Sequence, residues 1–218
     1  MQTERSIERA TTTLTLAPLQ LLAMACVSGG LVGLAARASD YGPRVAHWVG
    51  ALGAPWLVAS FANGVLARTR RAAVIAGALA IIAGVVAYYV SMWRVERRAA
   101  VDYAAPMIVG WSLAGVAVGA PFGIAGWMTR QGRGRREALG LAALAGALVA
   151  EAIYVSIVWD NPYAQAVALL EVSAAAFVIV TARRGRRVLA YALPLAVVLL
   201  ILELAVTTTM RDIGWAGL

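Results

Sequence analysis

Three glutamates, Glu151, Glu171 and Glu203, stand inside long hydrophobic runs of the chain. A carboxyl in such a run is costly, and residues of this kind face the protein interior and mark functional sites. Tyr154 follows Glu151 by three residues and Thr207 follows Glu203 by four, so each shares a helical face with its acid. Val167, Ala168, Ala174 and Ala175 around Glu171 are small and leave room beside its carboxyl. Burial in a medium of low dielectric favours a neutral acid over its anion, and a neutral acid can donate a proton. Aromatic faces attract cations. Tyr88, Tyr89, Trp93, Trp111, Trp159 and Tyr163 fall at depths that would let them line the same cavity. The same aromatics would also suit an interfacial belt. Asp160, in the turn Trp159-Asp160-Asn161-Pro162-Tyr163, is either a further acid of the site or a cap for the turn.

The elements that must position these groups are membrane helices. Of 218 residues, 61% are hydrophobic and 14% charged, with mean hydropathy +0.77. A soluble domain carries about 25% charged residues. A crossing helix needs about 20 apolar residues. Seven segments qualify, at 15–36, 48–67, 72–93, 105–128, 138–158, 163–181 and 188–209. Short links make them a single all-α bundle spanning 1–218. Gly50, Gly53 and Pro55 could break the second segment or make it re-entrant. Gly29 and Gly33, and Gly115, Gly119 and Gly123, are spaced to let helices approach closely within the chain or in a homo-oligomer.

Arginines orient the bundle. All 19 basic residues are arginine. Thirteen fall on the side of the amino terminus: Arg5, Arg9, Arg68, Arg70, Arg71, Arg130, Arg133, Arg135, Arg136, Arg183, Arg184, Arg186 and Arg187. Six fall on the other side, at Arg37, Arg44, Arg94, Arg97, Arg98 and Arg211. The richer side is expected to be cytoplasmic. The amino terminus is therefore expected inside, the carboxyl terminus outside, and the protein in the plasma membrane. At about 1.5 Å per residue, Glu151, Glu171 and Glu203 then lie roughly 9–12 Å below the outer ends of three consecutive helices. If those helices are neighbours, the acids share one cavity.

Several classes are disfavoured. The net charge of +8 is topological and gives no reason to expect nucleic acid. A single cysteine, Cys26, and a single histidine, His47, do not make a zinc site of the usual kind. Walker A, HExxH and GxSxG motifs are absent, as is an aspartate-rich DDxxD run. No metal and no cofactor is expected.

Three resemblances follow from these segments. Gly53-Ala54-Pro55-Trp56-Leu57 leading to Ala67-Arg68, Tyr88-Tyr89, and Glu151-Ala152-Ile153-Tyr154 followed by Glu171 resemble a family of small actinobacterial integral membrane proteins without assigned activity. The size, the seven helices and the membrane acids resemble, more loosely, the small integral-membrane terpene cyclases of meroterpenoid pathways. That resemblance implies protonation of a prenyl chain by a carboxyl, although no motif aligns residue by residue. There is also a loose similarity to the substrate-binding component of energy-coupling vitamin transporters.

The leading expectation is a metal-independent cyclase or isomerase acting on a lipophilic prenylated substrate drawn from the membrane lipids. Glu151 is its first candidate acid, supported by Tyr154, while Glu171 and Glu203 tune or accept the proton. The aromatics stabilise positive charge. The alternative is a protein that binds or transports a small solute, although the inner half offers few polar groups beyond Ser60 and Asn63. A third possibility is a non-catalytic membrane scaffold.

Overall fold

A computed structural model describes residues 17–43, 52–96, 101–132, 134–159 and 161–212. The described residues form seven helices: α1 Pro18–Ser39, α2 Ala54–Leu66, α3 Arg70–Glu96, α4 Val101–Gln131, α5 Arg135–Val158, α6 Pro162–Thr181 and α7 Gly185–Asp212. Six of them are long and apolar enough to cross a membrane, and α2 is not. By length and composition the chain is a multi-pass helical membrane protein.

Within the expected span of 48–67, which Gly50, Gly53 and Pro55 could break, the described helix is short. Helix α2 has 13 residues, about 20 Å at 1.5 Å per residue, against a hydrocarbon core of about 30 Å. It begins beside Gly53, with Pro55 in its first turn. Residues 48–51 lie outside the described residues. Hydropathy fixes the apolar length of a segment, whereas the start of a helix depends on where its first backbone amides find acceptors.

Helices α1 to α4 pack as one group through small residues. A methyl group added at Gly29 would run into the carbonyl of Ala80, and one at Gly33 into that of Gly84, both on α3. Gly119 and Gly123 of α4 are pressed in the same way against the backbone of α3 at Gly77 and Ala73. Backbones this close gain dispersion contacts that lipid cannot replace. Helix α2 adds polar ties: Ser60 Oγ donates to the carbonyl of Gly77 at 2.9 Å, and Asn63 Nδ2 to Ser28 Oγ at 2.8 Å.

Helices α5, α6 and α7 form a second group in which α6 and α7 each run along α5 and touch one another only sparsely. Helix α6 starts at Asn161, whose Oδ1 accepts the amides of Tyr163 at 3.1 Å and Ala164 at 2.9 Å. Asn161 therefore caps this turn, while Asp160 lies outside the described residues. The groups join through α4 against α5 and through the start of α2. Leu52 packs with Val155, Ala164 and Val167, and Ala54 with Ala145, Leu148 and Ala175, so the chain entering α2 sits against both α5 and α6.

Gly29→Leu should destabilise the protein by about 1–3 kcal/mol or more through overpacking. Gly30→Leu should be tolerated, because a methyl there meets open space. Thermal unfolding of the two variants in detergent checks the contrast; equal melting temperatures would contradict the packing described.

Candidate functional site

A helix that begins inside the bilayer exposes backbone amides that have no water to bond. The amide of Gly53 donates to Oε1 of Glu151, and the amide of Ala54 donates to the same carboxylate. Pro55 has no amide hydrogen. The amides of Trp56 and Leu57 donate to the carbonyl of Gly53 at 3.0 and 3.2 Å. Glu151 of α5 thus supplies, from a different helix, the cap that Gly53 lacks. Its negative charge also faces the positive end of the α2 dipole. At the other end of α2, Arg130 Nη1 donates to the carbonyl of Val65 at 3.2 Å, placing a cation at the negative end.

Glu171 stands opposite Glu151, because α6 runs back along α5 from the tight turn between them. The residue is 3% exposed and Glu151 is 6% exposed. Both carboxyl oxygens of Glu171 are buried, and the only side chain within hydrogen-bonding reach among the described residues is the Glu151 carboxyl. Glu151 is the nearer acid, and Glu203 of α7 acts on it from farther away. Glu203 is half-buried and also interacts with Glu151. The three acids therefore form one electrostatic group. Among the described residues no three acids, histidines or cysteines converge as a metal site.

Tyr154 and Thr207 extend the group. Tyr154 OH donates to Thr207 Oγ1 at 3.2 Å, and Thr207 Oγ1 donates to the carbonyl of Glu203 at 2.8 Å. This chain ties α5 to α7 beside the acids. Tyr154 meets Trp159 edge to face, with ring centroids 6.5 Å apart. Tyr163 is half-buried at the start of α6.

The remaining aromatics sit elsewhere. Tyr88, Tyr89 and Trp93 belong to α3, which packs against α1, α2 and α4 and makes no contact with α5, α6 or α7. Tyr88 donates to Asp40 Oδ2 at 2.9 Å. Asp40 also pairs with Arg37 Nη1 at 2.6 Å, and the Arg37 guanidinium lies over the rings of Tyr41 and Tyr88 at 4.6 and 5.7 Å. Trp93 and Trp111 are exposed at the bundle surface. Shared depth therefore does not bring these side chains to the glutamates. The Arg37 cluster escaped sequence reading, although an arginine and an acid three residues apart at a helix end signal a pair. The pairing of Gly53 with Glu151 spans 98 residues and left no local signal.

Fold and site together define a multi-pass helical membrane protein that carries a group of carboxyls within its bundle. The chain belongs to the family described as Family of unknown function (DUF6518), whose model matches residues 15–212. No curated protein and no solved structure matches it.

The two buried acids should respond unequally to apolar replacement. Glu151→Leu strands two amides and should cost about 1–3 kcal/mol. Glu171→Leu strands no backbone amide and relieves a buried carboxyl whose only neighbouring polar group among the described residues is another acid, so it should cost less than Glu151→Leu. Denaturant unfolding in detergent reads both, and a larger loss for Glu171→Leu would contradict this division.

Proposed function

We propose that the protein binds or transports a small ligand through an acidic site in the outward half of the plasma membrane. The arginine distribution supports an amino terminus inside and a carboxyl terminus outside, which requires the short α2 and the chain leading into it to complete a seventh passage. The ligand is cationic, either a proton or an organic group bearing positive charge. The supporting observation is Glu171, a buried carboxyl with no donor to it, set beside a second acid that is already engaged in capping α2. An unpaired carboxylate in an apolar interior is too costly to stand bare, so it must carry a proton or meet a cation. A half-helix ending within the membrane at a polar site is also a recurring way to build transporter sites.

The acid-initiated cyclase is the second reading. It is favoured by the half-buried Glu203 on α7, an acid beside the sparse contact between α6 and α7 where a lipophilic substrate would approach. Tyr154 and Trp159 would face the cationic intermediate, because Tyr88, Tyr89 and Trp93 lie on the other group of helices.

Mass spectrometry of small molecules retained by the protein in mild detergent, compared between wild type and Glu171→Gln, separates the readings. Binding of an organic cation predicts a water-soluble amine or related cation that is lost from the variant, whereas binding of a proton predicts that neither protein retains such a compound. A polycyclic, hydrocarbon-rich compound replaced in the variant by its open-chain precursor would favour the cyclase instead.

A further inference from the structure

The site's ligand can be narrowed by asking what Glu171 has room to hold. Each of its carboxyl oxygens exposes less than 1 Å². An ammonium group would need several acceptors arranged around it, and a solute would need a cavity at the carboxyl. A proton needs neither. It needs one oxygen to carry it and a second acceptor nearby, and the Glu151 carboxylate faces Glu171. Glu151 is held in place because the amides of Gly53 and Ala54 anchor it. A carboxylate has about four lone-pair positions, so those two bonds leave capacity for a third. Two anions in this position would repel strongly in a low dielectric, whereas a carboxylic acid donating to a carboxylate satisfies both groups.

We propose that Glu171 is the proton-binding residue of this protein and that Glu151 is the fixed acceptor that positions its proton. This rests on the reading of the site as one for a cationic ligand, and it names that ligand. Among the described residues, the charged groups that face Glu171 from the helices packed on it are Glu151 of α5 and Glu203 of α7. Glu203, half-buried on α7 beside its sparse contact with α6, is the group through which the proton exchanges with the surroundings. The step is a transfer of one proton between carboxyls: the O–H bond of one breaks as that of the other forms, and no electron changes hands.

Infrared spectroscopy of the full chain in phosphatidylcholine bilayers, with and without 13C-glutamate, reads this without requiring a reagent to reach the site. The expected result at neutral pH is a carboxylic-acid carbonyl band from glutamate that shifts in heavy water. That band should be lost in Glu171→Gln and kept in Glu203→Gln. A labelled wild-type protein with only carboxylate bands overturns the proposal, whatever the variants do. If those carboxylate bands then respond to added methylammonium, the site takes an organic cation and the broader reading survives. If they do not respond, both readings fall.

Discussion

Every backbone amide within the hydrocarbon needs a protein acceptor, and α2 is where that requirement is hardest to meet. A full-length crossing helix leaves its unpaired ends at the interface. Helix α2 starts within the bundle, and its first donors are answered by Glu151 from α5. Its far end is answered by Arg130 from α4. Both capping charges have the sign that opposes the helix dipole. This arrangement fixes α5 at the depth where its carboxyl meets Gly53. It also ties the glycine-packed group α1–α4 to the looser group α5–α7.

The acidic group follows from that tie. Because α6 turns back along α5, the carboxyl that caps α2 has Glu171 as its neighbour, and α7 brings Glu203 to the same group. One acid is engaged by amides and one has none, so two residues of identical chemistry have different roles set by surroundings. Tyr154 and Thr207 hold α5 and α7 together close to the acids, while α6 and α7 remain loosely joined. One acid anchored by amides beside another that is not, both within the α5–α7 group, is a suitable division for a site that must exchange a ligand.

Much of this was legible in the sequence. Of the seven expected spans, six coincide with helices long and apolar enough to cross a membrane, with ends that differ by only a few residues, because lipid demands long apolar helices. The grouping of Glu151, Glu171 and Glu203 follows from depth, since helices joined by tight turns are neighbours. Depth does not give direction around the bundle, so Tyr88, Tyr89 and Trp93 seemed to belong with the acids, although α3 lies against α1, α2 and α4. The length of α2 was hidden because apolar residues precede it. Gly53 and Pro55 signalled a break, but the acceptor that makes the break possible is 98 residues away. Arg130 reads in sequence as a topology signal and turns out also to be a helix cap.

Amide hydrogen exchange along α2, followed by mass spectrometry, tests the capping relation most directly. In the wild-type protein the peptide containing Gly53 and Ala54 should be protected to the same degree as α3 and α4. In Glu151→Ala that peptide should exchange much faster, with α3 and α4 unchanged. Equal protection of that peptide in both proteins would contradict the account, because the start of α2 would then be held by something other than the α5 carboxylate.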